Sequence, residues 1–331
     1  MSSDNEPILL SVGVPAYQSK DVSWLSLLGL SKQKGVPVPW EVVICQEDDS
    51  IDEALLEEMR EPLQSAGCRR IEVVKLEEWI PLSLKWIQIR DSLSDTSEVF
   101  LLQGVDDFPH PDRLASSWEA LKNDADCDWF HWKNMLFFDF NFETWSEFRG
   151  GEKPPLPVPR KGWTHHPCCP NMATRTRYLD FLKEEEVKRG VDGWIFYSIQ
   201  DGLKRKPVIR EGEDREQRLG FGTTGFNHLS VSRIKMGRSP QPPIFPCDYS
   251  LEEVLEPEVA KRVYEMCDQS RKKTLNLLLD ELEVSESKLN SLRAFVSKYG
   301  WIRKAMRPAF FLLRAARSIS GRGGKKSTRL R

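Results

Sequence analysis

Apolar and polar positions follow a repeating order over the first 128 residues. An apolar run, ILLSVGVPAY (8–17), is ended by Pro15. It is followed by DVSWLSLLGLSKQ, where Trp24, Leu27 and Leu28 predict a helix starting at Asp21 or Ser23. The β-branched run WEVVICQEDD (40–49) breaks into acids, and IDEALLEEMREPLQSAG then reads as an amphipathic helix ended by Gly67. RRIEVVKL (69–76) predicts a third strand, and PLSLKWIQIRDSLS a helix opening at Pro81. EVFLLQGVDDFPHPDRL predicts a fourth strand that stops at Asp106 and Asp107, before a helix from about Pro111. This alternation predicts an α/β chain with a mostly parallel central sheet flanked by helices, whose ligands gather at the carboxyl ends of the strands. Three loops occupy such ends: residues 15–18, 46–50 and 104–108.

After residue 128 the order changes. The stretch DWFHWKNMLFFDFNFETW (128–145) is densely aromatic and suits strands over a core or a sugar platform, while 149–162, rich in Pro and Gly, reads as a loop. A second α+β portion runs from 163 to about 233, and a Pro-rich stretch (SPQPPIFP, 239–246) precedes a charged helical part. The expected organisation is one domain over 1–238, with a nucleotide-binding half to about 128 and an acceptor half from 129. A linker over 239–248 and a helical extension over 249–331 follow. No internal repeat is evident.

Composition narrows the class. With 331 residues, 40% hydrophobic and 30% charged, the chain has material for a full core. No run of eighteen apolar residues occurs, and the start, MSSDNEPILLSVGV, carries acids where a secretory signal carries basic residues, so a cytoplasmic location is expected. Seven cysteines at scattered spacings point to reduced thiols. The net charge of −2 conceals an asymmetry. Residues 301–331 hold ten Lys and Arg and no acid, which leaves 38 basic residues against all 50 acids in the first 300, a net of −12. That acidic body excludes a general nucleic-acid binder.

Asp106 and Asp107 carry the first chemical signal. Two carboxylates at a strand terminus suit a hard divalent cation, Mn²⁺ or Mg²⁺, held through few protein oxygens with phosphate oxygens completing its shell. The plainer reading is turn and capping chemistry before a helix. His165, His166, Cys168 and Cys169 suggest zinc, but neighbours on an extended chain point to opposite faces and no Cys-x-x-Cys partner occurs elsewhere.

Taken in order, Pro15-Ala16-Tyr17-Gln18 after the first strand, Gln46-Glu47-Asp48-Asp49-Ser50 after the second, and Gly104-Val105-Asp106 with Asp107 after the fourth resemble the family-2 glycosyltransferases of the GT-A (Rossmann-like) fold over about residues 8–233. The resemblance implies an inverting transferase that moves a sugar from a nucleotide-diphosphate sugar to a glycan or lipid-linked acceptor, as in surface polysaccharide or glycoconjugate synthesis. It places Pro15, Ala16, Tyr17, Gln46, Glu47, Asp48, Lys85, Asp106 and Arg175 at the nucleotide sugar, with Arg177 as an alternative to Arg175. It also places Asp106, Asp107 and His228 at the metal and Asp192 as general base, in GVDGWIFYSIQDGL (190–203). Asp192 also reads as the N-cap of a helix from Gly193 or Trp194, and Trp132 or Trp163 as a sugar contact. Three departures stand out: Gly104 replaces the first acid of the metal motif, Gln46 an acid at the base, and Val191 the first of a Glu-Asp pair. They support an alternative, a degenerate domain that binds a glycan or partner without turnover. A sugar-phosphate nucleotidyltransferase fits less well, since VGVPAYQSK has no Gly-rich phosphate loop.

At the C-terminus, Leu292, Phe295, Val296, Tyr299, Ile302, Met306 and Leu313 recur at helical spacing among Arg293, Lys298, Arg303, Lys304, Arg307, Arg314 and Arg317. A basic amphipathic helix of this kind lies in the headgroup region of an anionic membrane, here the cytoplasmic face, or packs on the catalytic domain.

Overall fold

A computed structural model describes residues 6–123, 127, 129–132, 134–139, 144–149, 172–187, 191–205, 208–210, 221–224, 245–247 and 250–281, of which 130–132, 134–137, 139, 144–149, 208–210, 221–224, 245–247 and 270–281 are described by their backbone only. The expected alternation is present: β1 (Leu10–Ala16), α1 (Ser23–Ser31), β2 (Trp40–Gln46), α2 (Glu53–Ser65), β3 (Cys68–Lys75), α3 (Leu82–Asp91), β4 (Val99–Leu102), β5 (Asp107–Phe108) and α4 (Arg113–Asn123). Asp52 caps α2 by accepting from the Leu55 N–H at 3.0 Å, and Gly67 just beyond the helix takes φ +97°, a conformation that suits glycine.

The strands β6 (Trp129–Trp132), β9 (Met172–Arg175) and β10 (Val208–Arg210) extend the same sheet, in the order β10-β6-β9-β4-β1-β2-β3. The four strands β3, β2, β1 and β4 are mutually parallel, and β9 runs antiparallel to both its neighbours. The expected nucleotide and acceptor halves therefore share one sheet. β7 (Asn134–Asp139), β8 (Thr144–Arg149), β11 (Phe221–Thr224) and β12 (Phe245–Cys247) form a second sheet with β5, ordered β12-β8-β7-β11-β5.

Both faces of the main sheet are covered, which is why β2 is buried at all seven positions. On one face Val12, Val14, Val42, Ile44 and Leu101 pack with Leu27 and Leu30 of α1, Met59 and Leu63 of α2, and Leu114 and Leu121 of α4. On the other, Val43, Cys45, Phe100 and Leu102 meet Trp86 and Ile89 of α3 and Ile195 and Ile199 of α5 (Val191–Leu203). Each such aliphatic side chain contributes roughly 1.5–3 kcal/mol by leaving water. Gly13 is dictated by that packing: a Cβ there would lie 2.6 Å from Phe100 Cζ and 2.8 Å from Ile89 Cγ2.

The chain divides into two compact units, 1–270 and 271–331. The first reaches past the expected boundary at 238. The linker expected over 239–248 lies mostly outside the described residues, and its 245–247 form β12, paired with β8. Beyond it, α6 (Leu251–Val254) and the first part of α7 (Pro257–Glu281) belong to the first unit. Their residues Leu251, Leu255, Val259, Val263 and Met266 bury against Trp24, Phe108 and Phe138, where an apolar helix face finds the partner it needs. Among the described residues, no helix is long and apolar enough to cross a membrane.

Candidate functional site

In the strand order 3-2-1-4 the connections leave β1 in opposite directions, so a crevice opens between the carboxyl ends of β1 and β4. Pro15 marks the place. Gly13 accepts from the Gln103 N–H at 3.0 Å, so residue 15, two positions on, turns its backbone to the same side, where pairing with β4 has already ended at Leu102. The N–H that proline lacks thus has no ladder partner to lose.

The loops after β1 and β2 are tied together. Gln18, in the left-handed region at φ 48°, donates its N–H to Asp48 Oδ2 at 2.7 Å, Ser19 N–H donates to Ser50 Oγ at 3.0 Å, and Ser23 Oγ to Ser50 O at 2.6 Å. Burial opposes ionisation of Asp48, but hydrogen bonds from the Ser50 hydroxyl and from the backbone of Gln18 and Ser50 bring its pKa below the ordinary value. Gln46 is buried and spans its own loop, with Nε2 donating to Ile51 O at 2.8 Å and Oε1 accepting from Ile51 N–H at 2.9 Å. Both its amide groups are engaged inside the protein.

Lys85 lies beneath these loops. Only 2% of its side chain is exposed; Nζ donates to Ala16 O at 2.8 Å, pairs with Glu47 Oε2 and stands 5.0 Å from the Tyr17 ring centroid. The ammonium joins the ends of β1 and β2. Glu47 Oε1 is buried without a hydrogen-bond partner.

The acidic loop departs from a simple continuation of β4. Asp107 belongs to the two-residue strand β5, which pairs with β11 of the second sheet, so the loop bridges both sheets. A hydrogen-bond chain holds it: the buried Arg113 guanidinium donates to Leu102 O and Gln103 Oε1, and Gln103 Nε2 donates to Gly104 O at 2.9 Å and Asp107 O at 2.8 Å. Sequence reasoning missed Gln103 and Arg113; the only signal is Gln103, a polar residue directly after the apolar run of β4. Burial lowers the Arg113 pKa to about 10 against the opposing pull of Asp107. Asp107 is itself buried. Desolvation, then the neighbouring Asp106 carboxylate, push its pKa well above the usual carboxylate range; Arg113 opposes the shift and Asp192 adds to it.

Gly104 has a steric cause. A Cβ at this position would collide with Asp107 Oδ2, lying 2.9 Å from its Cγ and 3.3 Å from Asp106 Oδ1. The missing first acid leaves the space that the Asp107 carboxylate fills.

Asp192, in the first turn of α5, adds its charge to those that raise the Asp107 pKa. The helix starts at Val191, so Asp192 is a first-turn residue and not the N-cap expected from the sequence; an acid there favours the helix dipole. Arg175 is a correction. It pairs with Val99 at the start of β4, five positions before Gly104, or roughly 16 Å along the strand, and Nη2 donates to Leu121 O at 2.8 Å. It sits at the amino end of β4, away from the crevice, where antiparallel β9 had to deliver it. Arg177 donates to the Tyr178 hydroxyl at 2.9 Å. His228, Trp163, His165, His166, Cys168 and Cys169 lie outside the described residues, as do the side chain of Trp132 and the tail. Cys45 and Cys68 are buried free thiols, and Cys127 and Cys267 are buried as well.

Among the described residues no group of three His, Cys, Asp or Glu side chains is placed to hold a metal ion. The oxygen donors of Asp106 and Asp107 nevertheless suit a hard cation that takes its remaining ligands from phosphate and water.

No protein-family model and no curated protein matches the chain. Solved structures are similar to it. TarS 1–349 of S. aureus is 16% identical at a TM-score of 0.44, over 85% of this chain and 77% of that one. The mannosyltransferase PcManGT of Pyrobaculum calidifontis, in complex with GDP-Man and Mn²⁺, is 13% identical at 0.45, over 95% and 87%. The 4-diphosphocytidyl-2C-methyl-D-erythritol synthase of Anaerococcus prevotii is 15% identical at 0.35, over 62% and 86%.

Proposed function

We propose that the chain is a metal-dependent, inverting glycosyltransferase that takes a nucleotide-diphosphate sugar as donor and a glycan or lipid-linked molecule as acceptor. The observation that carries this reading is the buried carboxylate of Asp107, seated against bare Gly104, beside Asp106, and within reach of the charge of Asp192. The charges of Asp106 and Asp192 both oppose ionisation of Asp107, and Arg113, the one buried guanidinium among the described residues, donates its hydrogen bonds to Leu102 O and Gln103 Oε1. Such a site calls for positive charge.

A bound divalent cation supplies Lewis-acid stabilisation of the departing diphosphate, and Asp106 and Asp107 are the residues that hold it. His228 is the proposed third protein ligand. The loops after β1 and β2, with Pro15, Ala16, Tyr17, Glu47 and Asp48, hold the nucleoside end. Gln46 and Lys85 fix those loops from below. Asp192 accepts the proton of the acceptor hydroxyl as that oxygen attacks the anomeric carbon in line; the carbon–oxygen bond to the diphosphate breaks on the opposite side, and no enzymic nucleophile is needed. The basic tail brings the molecule to an anionic membrane at its cytoplasmic face, where a lipid-linked acceptor resides.

Thermal unfolding with a panel of nucleoside diphosphates, with and without Mn²⁺, tests the reading. A ligand at about one hundred times its Kd stabilises the native state by about 2.7 kcal/mol. Asp107→Asn removes the Mn²⁺-dependent part, and Asp192→Asn keeps donor binding while losing transfer. The absence of a metal-dependent response to every nucleotide would sink the proposal.

A further inference from the structure

Two side chains in the first turn of α3, two positions apart, hold different parts of the molecule. Ser83 and Lys85 are both almost wholly buried, at 0% and 2% exposed. A buried hydroxyl or ammonium is unfavourable unless it is hydrogen-bonded, so the partners of each are informative. Lys85 reaches the loops after β1 and β2, through Ala16 O at 2.8 Å and the Glu47 carboxylate. Ser83 reaches a segment of the other half of the chain. Its Oγ donates to Glu185 O at 2.8 Å and accepts from Val187 N–H at 2.9 Å, so one hydroxyl spends both its donor and an acceptor lone pair on the backbone of residues 185–187.

That segment leads into α5. Further along α3, Arg90 Nη1 donates to Leu182 O at 3.0 Å, which fastens residues 182–187 at both ends to one helix. Four positions of chain separate Val187 from Val191, where α5 starts, a span of at most about 14 Å. The first turn of α5 also returns to the same segment: Trp194 Nε1 donates to Glu185 Oε1 at 2.6 Å. Asp192 therefore lies between two tethers, at Val187 and at Trp194, and both end on the stretch that Ser83 fixes. Near the other end of α5 the packing is tight, since a Cβ at Gly202 would lie 2.3 Å from the Phe181 ring. The helical turn that braces Ala16 and Glu47 through Lys85 thus sets the approach to Asp192 through Ser83. A general base must stand within hydrogen-bond reach of the proton it takes, and misplacement by about 1 Å can lower the rate by up to about a hundredfold.

We propose that Ser83 is a positioning residue for transfer: by fixing residues 185–187 on the turn of α3 that also carries Lys85, it sets where the Asp192 carboxylate stands relative to the donor loops. This rests on the reading of Asp192 as general base.

Steady-state kinetics of the full chain in Mn²⁺ with UDP-glucose, UDP-GlcNAc and GDP-mannose test it, read as release of UDP or GDP when the sugar passes to water. In that reaction the water oxygen bonds to the anomeric carbon, Asp192 takes the proton, and the bond to the diphosphate breaks. Ser83→Ala lowers kcat about tenfold and leaves KM for the donor, and the Kd of UDP or GDP, within about twofold of wild type. In an Asp192→Asn background the same substitution has no further effect, because residues that act as a unit are not additive. Trp194→Phe, which removes the indole donor at Glu185 and leaves Ser83 in place, lowers kcat in the same direction. Unchanged kcat in Ser83→Ala, or in Trp194→Phe where the first variant does not fold, would overturn the inference. So would a loss confined to KM and nucleotide affinity, which would assign Ser83 to the donor loops, or an equal loss in the Asp192→Asn background, the mark of a general structural role. Nucleotide binding without turnover of any of the three sugars removes the base role and this inference with it, while the donor site stands. If the wild-type chain binds neither UDP nor GDP, the donor reading itself falls.

Discussion

Restoring a side chain at Gly104 puts a Cβ into space already held by the Asp107 carboxylate. Gly104→Ala forces the loop to shift or Asp107 to leave its seat, and overpacking of this sort costs about 1–3 kcal/mol. We expect both a lower unfolding midpoint and a loss of Mn²⁺-dependent stabilisation, measured by thermal unfolding with and without the metal. A variant as stable as wild type that keeps its metal response would show that the fit between Gly104 and Asp107 is unimportant. The sequence displayed Gly104 as a missing acid; its steric role depends on where Asp107 lies, three residues along a loop that turns back on itself. Gln46 and Lys85 have the same history. Both were legible as polar residues near a nucleotide loop, but their engagement with Ile51, Ala16 and Glu47 is a matter of tertiary distance.

Among the elements, β1, β2 and β4 were legible because strands buried on both faces read as continuous apolar runs, and α2 carries a 3.6-residue period with Asp52 and Gly67 as end signals. The two-residue strand β5 was not, since no periodicity exists over two residues and its pairing partner, β11, lies more than a hundred positions away. The apolar stripe of α7 announced burial without naming its partner. Trp24 of α1 supplies it: Nε1 donates to Met266 Sδ at 3.1 Å, and the Arg262 guanidinium carbon lies 4.0 Å from the ring centroid. Met266→Ala should therefore destabilise the whole first unit by about 2–5 kcal/mol, read from urea unfolding. A loss below about 0.5 kcal/mol, the scale of a surface change, would mean that α7 is a dispensable attachment.

At the scale of the molecule, the charge of the chain is divided between an acidic body and a basic end. The proposed membrane role of the tail rests on that contrast: ten cations in residues 301–331 would be drawn to an anionic surface that the net charge of the first 300 residues opposes. Sedimentation with vesicles rich in anionic lipid should pull down the full chain at low salt, release it at high salt, and fail for a chain ending at residue 300. Indifference to lipid would refute the membrane role. Element order, the parallel character of the sheet and the position of the three loops at strand ends were determined by the sequence alone, because hydrophobic period and chain punctuation are local properties. Only the tertiary structure decided which side chains share the crevice. It placed Trp79 beside Tyr17, sent Arg175 to the amino end of β4 on an antiparallel strand, set Arg113 under the acidic loop and let the charge of Asp192 act on Asp107. Those meetings depend on strand order and direction, which long-range packing selects and local sequence does not encode.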